Sequence, residues 1–147
     1  MTLVATGKIP DIWSAAVELC GIIDCYTMLQ HEDSSLQEYE KSLLGDPVKD
    51  KAVYKATSPI KYIPNERAPL LILQGENDIP VPKEEAEQVY DILKQEGRTV
   101  DAHFYPAQGH GFAKRENQID SIRRKVDWSN KYLKGAGSFE CRIELIA

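Results

Sequence analysis

Four consecutive apolar residues, Leu70 to Leu73, closed by Gln74-Gly75, form the sharpest hydrophobic signal in the chain. An unbroken run of this length is what a parallel strand covered on both faces requires, so Ala68 to Gly75 is predicted as a buried strand. Immediately downstream the period changes. Pro82 and the acidic pair Glu84-Glu85 suit a first helical turn, Ala86, Val89, Tyr90 and Leu93 fall on one face, and Gly97 ends the helix. Val100 to Tyr105 then alternates Val100, Ala102 and Phe104 with Asp101, His103 and Tyr105, the period-2 mark of a strand.

The flanking segments are read the same way. Ala15 to Leu19 is a short apolar run closed near Gly21 and predicts another strand. Leu36, Tyr39, Leu43 and Leu44 are spaced for an amphipathic helix over 35–44, with Ser34 and Ser35 as caps and Gly45 as terminator. Residues 48–56 predict a shorter helix before Ser58-Pro59. Over 118–133, the spacing of Ile119, Ile122, Val126, Trp128 or Ser129, and Leu133 predicts a long closing helix. The tail from Ser138 to Ala147 is apolar and alternating, and the pattern assigns it no place. Strands alternating with helices imply a parallel α/β sheet with right-handed crossovers.

Composition narrows the class without naming a function. The chain has 147 residues, 42% hydrophobic and 28% charged, which suits one globular domain. A net charge of −5 argues against nucleic acid, and the one basic run, Arg123-Arg124-Lys125, lies in a helical pattern where a solvated face explains it. Cys20, Cys25 and Cys141 are odd in number and lack a Cys-x-x-Cys spacing, which implies free thiols in a reducing compartment and a cytoplasmic expectation. The chain shows neither an apolar run long enough to cross a membrane nor a charged-then-apolar leader at its start.

The chemistry concentrates at two strand ends. Asp78 follows the strand at 70–75 in a proline-rich turn, and His110 follows the strand at 100–105 between Gly109 and Gly111. In parallel sheets, catalytic groups sit on loops at the carboxyl ends of strands. An acyl-transfer triad needs an imidazole base and a carboxylate that fixes its tautomer, and His110 and Asp78 suit those roles. The third member is absent. No Gly-x-Ser-x-Gly occurs, and none of the eight serines has elbow glycines in the required chain order. Other polar residues have plainer readings: Asp24 caps or solvates a loop, His31 and His103 lie on the surface without metal spacing, Glu76 points to solvent, and Trp13 and Trp128 pack in a core or interface. No metal or cofactor is expected.

Taken together, Leu44-Gly45-Asp46-Pro47, Ser58-Pro59-Ile60, Ala68 through Asp78, Val81-Pro82, and Tyr105-Pro106 through Gly109-His110-Gly111-Phe112 resemble the catalytic domain of the prolyl oligopeptidase family. The branch is that of dipeptidyl aminopeptidases and acylaminoacyl peptidases, and the resemblance covers about residues 1–134, leaving 135–147 unassigned. It implies the C-terminal portion of an α/β-hydrolase fold, with about three parallel strands and flanking helices, Asp78 as triad acid and His110 as triad base. Those strands would be the last three of an eight-stranded sheet. Met1 to Thr6 resembles the helix that follows the nucleophile elbow, which would place the serine about five residues before Met1.

On this reading the chain is a fragment of a serine peptidase, with a peptide or acyl-ester substrate in the parent protein. Loss of the serine alone costs on the order of 10⁶-fold in turnover, so no activity is expected from the chain by itself. The strand at Ala15 to Leu19 would become an open edge through which copies self-associate. An esterase or dienelactone-hydrolase-like fragment, and a non-catalytic interaction module, are the alternatives.

Overall fold

The computed structural model describes residues 1–133, so the unassigned tail at 135–147 and Cys141 lie outside the described residues. Three parallel strands, β1 (Ala16–Leu19), β2 (Leu70–Gly75) and β3 (Val100–Tyr105), lie side by side in the order β1-β2-β3. Ala16 is opposite Leu70, Leu70 is opposite Val100, and Gly75 is opposite Tyr105. The carboxyl ends of β2 and β3 therefore finish level, and the loops carrying Asp78 and His110 emerge beside each other.

Between β1 and β2 run α2 (Cys25–His31), α3 (Ser34–Leu44) and α4 (Lys51–Thr57), while α5 (Lys83–Gln95) connects β2 to β3. A helix α1 (Thr2–Lys8) precedes the sheet and α6 (Arg115–Leu133) closes it. The apolar run of β2 serves two cores, as an unbroken run should. Leu70 and Ile72 face one side, with Leu3 of α1, Ile63, and Ala86, Val89 and Leu93 of α5. Leu71 and Leu73 face the other, with Tyr105, Phe112 and Trp128 of α6. Fully burying one such side chain contributes about 1.5–3 kcal/mol, so β2 is the best-anchored strand.

Several boundaries differ from the sequence reading for identifiable reasons. The side-chain cap of α3 is Asp33, whose carboxylate accepts from the amides of Ser35 and Leu36, so Ser34 and Ser35 fall inside the first turn. The second short helix starts at Lys51, because Asp46 and Asp50 organise a turn first: Asp46 accepts from Val48 and Lys49, and Asp50 accepts from the Asp46 amide. Helix α2 carried no clear periodicity and went unanticipated; Asp24 starts it by accepting from the Tyr26 amide.

Helix α6 forms over the predicted span, and its burial is uneven. Ile119, Ile122, Val126 and Leu133 are 40 to 56% exposed, while Ser121 and Trp128 are buried. With three strands beneath it the sheet is narrow, and only the row containing Trp128 reaches Leu71, Leu73 and Phe112. The Trp128 indole N–H donates to the Pro69 carbonyl at 3.2 Å, which fixes the helix against the entrance to β2.

Candidate active site

Asp78 is held from three directions. Its side chain is fully buried, its Oδ1 accepts from the Val81 amide at 2.9 Å, and its Oδ2 accepts from the Gln74 side-chain amide at 3.2 Å. The Gln74 Nε2 also donates to the Val81 carbonyl at 2.9 Å, so one buried amide ties the strand end to the turn that returns over it. The third neighbour is the imidazole of His110, whose Nδ1 lies 3.0 Å from Oδ2 and 3.3 Å from Oδ1. An Nδ1–H donated to a carboxylate leaves the Nε2 lone pair free, which is the tautomer a general base needs. The His110 side chain is 53% exposed and so reachable from outside.

The loop bearing His110 is shaped by backbone that ordinary residues adopt rarely. Ala107, Gly111 and Phe112 have φ of 55°, 91° and 56°, in the left-handed region. Packing and hydrogen bonds maintain it: Phe112 is buried against Tyr105 with ring centres 4.2 Å apart, the Lys114 amide donates to the Gln108 side chain, and Gln118 donates to the Phe112 carbonyl. The loop is also clamped to the Asp78 turn, since the Asn77 amide donates to the Gln108 carbonyl at 2.8 Å. Gly75 makes this approach possible. A Cβ there would lie 2.5 Å from the carbonyl oxygens of Gln108 and Gly109.

Two residues that sequence reasoning did not place here belong to the site. Gln74 was visible only as a polar residue at the end of an apolar strand, and that interruption was the available signal. Cys20 sits just past β1 with φ of 50° and is buried. Its sulfur lies within 4.8 Å of a carboxylate oxygen of Asp78 and a ring nitrogen of His110; burial, with a further contribution from that carboxylate, pushes the thiol up to about 11. Cys20 is therefore a protonated thiol beside the pair.

The remaining candidates lie elsewhere. Asp24 caps α2, and its Oδ1 lies 3.1 Å from the Ser58 hydroxyl oxygen. His31 is exposed in the last turn of α2, and Glu76 is exposed. His103 lies 3.8 Å from Asp120, which also accepts from Tyr105 and Arg124; burial and the Arg124 charge hold its pKa down. Trp13 donates to the Ala5 carbonyl, and Trp128 belongs to the α6 core. The hydroxyls of Ser42, Ser58, Ser121 and Ser129 donate to main-chain carbonyls of their own helices or turns. An apolar cleft of about 330 Å³ runs between α1 and the outer edge of β1, lined by Met1, Ala5, Trp13, Ala15 and Val17 among others.

A buried carboxylate orienting an exposed imidazole across the ends of adjacent parallel strands is a hydrolase arrangement, and comparison with known proteins specifies which. The sequence model of the prolyl oligopeptidase family matches residues 1–136. The chain belongs to that family. It is 30% identical over 128 residues to the acylamino-acid-releasing enzyme of Sus scrofa, a match covering 83% of this chain and 18% of that enzyme. It is 31% identical over 121 residues to dipeptidyl aminopeptidase BIII of Pseudoxanthomonas mexicana, covering 79% of this chain and 18% of that one. Among solved structures, a Mycobacterium tuberculosis puromycin-hydrolyzing peptidase superposes with a TM-score of 0.84 at 24% identity, covering 90% of this chain and 20% of that one. Pyrococcus horikoshii acylaminoacyl peptidase superposes at 0.75 with 23% identity, covering 91% and 22%. These likenesses establish the α/β-hydrolase fold of this family for the three strands and their helices. The chain spans about a fifth of the length of the relatives it matches. Among the described residues, no helix is long and apolar enough to cross a membrane.

Proposed function

We propose that Asp78 and His110 are the acid and base of a serine-type aminoacyl or acylaminoacyl peptidase, and that the nucleophile comes from polypeptide outside these 147 residues. The observation that carries this reading is the 3.0 Å contact between His110 Nδ1 and the buried Asp78 carboxylate. In the forward reaction Nε2 of His110 takes the serine proton as the hydroxyl oxygen bonds to the substrate carbonyl, and then returns that proton to the leaving amine. Asp78 keeps the ring oriented and stabilises the imidazolium between those steps. No Gly-x-Ser-x-Gly is present in the chain, and the described serine hydroxyls with hydrogen bonds are engaged elsewhere, so turnover by this chain alone is not expected. The buried free thiol of Cys20 and the free thiol of Cys25 support a reducing, cytoplasmic setting.

The test compares this chain with the same chain extended by the coding sequence upstream of Met1. The extended protein should react with a fluorophosphonate serine probe and release an acylated or free amino-terminal residue from a peptide, whereas the 147-residue chain should do neither. Serine labelling of the short chain, or turnover by the extended protein that survives His110→Ala, would overturn the reading. Turnover restricted to small acyl esters would favour an esterase instead.

The outer edge of β1 supports a second role. Its backbone pairs only with β2 among the described residues, and Leu19 and Trp13 beside it are 44% and 40% exposed. We propose that copies of the chain associate along this edge when no further strand covers it.

A further inference from the structure

Cys20, Asp78 and His110 come from the ends of three different strands, yet one ligand atom from each lies within 4.8 Å of the others. A thiol, a carboxylate and an imidazole are the donor set of a borderline-soft divalent cation, and three protein ligands with one open position is the form of an accessible zinc site. We propose that these three side chains form a binding site for zinc or a similar soft divalent cation, and that an occupied site is switched off for proton transfer.

Three features support the site beyond proximity. Cys20 holds a left-handed backbone conformation, φ 50°, which a non-glycine residue adopts at a cost, and its sulfur lies within 4.8 Å of the ligand atoms of Asp78 and His110. Gln74 and the Val81 amide already fix the Asp78 carboxylate, the kind of outer support that orients metal ligands. Charge balances as well: one thiolate and one carboxylate neutralise a divalent cation, so occupancy leaves no net charge in the buried part of the site. The half-exposed His110 leaves the fourth position open to water.

The chemistry is ligand exchange without oxidation. Cys20 S–H loses its proton to solvent as the sulfur–metal bond forms, Asp78 supplies a carboxylate lone pair, and His110 supplies the lone pair of the Nδ1 that now faces Asp78. The imidazole stays neutral, its proton moving from Nδ1 to Nε2. An Nε2 that carries a proton has no lone pair with which to accept one from a nucleophile. This consequence for catalysis rests on the triad reading above; the binding itself does not.

Cobalt(II) titration of the full chain with Cys25→Ser and Cys141→Ser tests the site, because cobalt reports thiolate ligation by its near-ultraviolet charge-transfer band. One cobalt per chain is expected with that band, displaced by zinc, abolished by Cys20→Ala and weakened at least tenfold by His110→Ala. Circular dichroism checks each variant's fold. Should either variant fail to fold, the Cys20 Cβ and His110 ring NMR signals of the parent protein provide the readout, and both should shift on adding one equivalent of zinc. Absence of the band, its survival in Cys20→Ala, unchanged affinity in His110→Ala, or unmoved NMR signals would overturn the site. Each of those results would leave the triad reading to its own turnover test.

Discussion

The Nδ1 of His110 lies 3.0 Å from Oδ2 of Asp78, although 32 residues, a helix and a strand separate them. Replacing Asp78 by Asn keeps the shape but offers an amide to Nδ1, which favours the wrong imidazole tautomer. In the serine-bearing extended protein, Asp78→Asn should lower kcat by about 10⁴-fold with little change in KM. In the 147-residue chain it should remove the downfield Nδ1–H proton resonance while far-ultraviolet circular dichroism stays the same. A resonance that persists would mean the imidazole is not held by this carboxylate.

Gln74 gives a second, independent handle on that carboxylate. Its Nε2 donates to both Asp78 and the Val81 carbonyl, and the residue is fully buried. Gln74→Leu keeps the volume but removes the donor shared by Asp78 and the Val81 carbonyl, and a buried polar group that loses its partner costs about 1–3 kcal/mol. Urea denaturation should show a lower midpoint with an unchanged slope. In the extended protein, kcat should fall while the nucleophile remains reactive to the fluorophosphonate. A midpoint within error of the parent protein would remove Gln74 from its role in positioning Asp78.

How much of this was readable beforehand follows from what each signal depends on. Leu70 to Leu73 announced β2 because a strand buried on both faces favours an unbroken apolar run, and the glycines around His110 announced a loop because backbone freedom is a local property. Proximity across strands is not local. Nothing in the sequence near Cys20 states that β1 ends beside β2, with β3 on the far side of β2, so the approach of its sulfur to Asp78 and His110 emerged only with the register of the sheet. The apolar row of α6 shows the same limit: the spacing of Ile119, Ile122 and Val126 marks a helix correctly, but the width of the sheet beneath decides whether that row is covered.

Gly75 makes a sharper structural prediction than either polar residue. A methyl group there meets the carbonyl oxygens of Gln108 and Gly109 at 2.5 Å, and both belong to backbone that cannot swing aside like a side chain. Gly75→Ala should cost about 1–3 kcal/mol, the usual range for overpacking. It should also push the His110 loop off the end of β2. Hydrogen exchange should therefore accelerate at the Asn77 amide, which donates to Gln108, more than at the amides in the middle of β2. Uniform acceleration across the sheet would point to general destabilisation instead.

Stability should fall with rising pH over a window set by buried glutamates. Burial pushes the Glu18 carboxyl up from 4.5 to about 7, only partly offset by the Gly21 main chain, and neither carboxylate oxygen makes a well-formed hydrogen bond. The folded state therefore keeps a proton that the unfolded state gives up. Below pH 4.5 both states are protonated and nothing changes; between 4.5 and 7 stability declines, and above 7 Glu18 costs its full amount, about 3 kcal/mol. Glu66, also buried and raised to about 7, acts in the same direction. Glu18→Gln should flatten the decline in urea midpoint between pH 5 and 8. An unchanged slope would show that Glu18 finds a partner in solution.

The edge of β1 yields the last prediction. Leu19 is 44% exposed on a strand whose outer side is unpaired among the described residues, and the apolar cleft lined by Trp13 and Val17 lies alongside. An open edge presents free amides and carbonyls to any strand that can pair with it, and apolar neighbours make that pairing favourable. Sedimentation of the 147-residue chain should show a larger species growing with concentration through the micromolar range. Leu19→Lys places a charge at that edge without entering either core, because Leu19 packs in neither. It should return the chain to monomer while leaving the urea midpoint within about 0.5 kcal/mol of the parent, the usual range for a surface change. If Leu19→Lys associates as strongly as the parent chain, the contact lies elsewhere, and the exposed row of Ile119, Ile122 and Val126 on α6 is the next face to mutate.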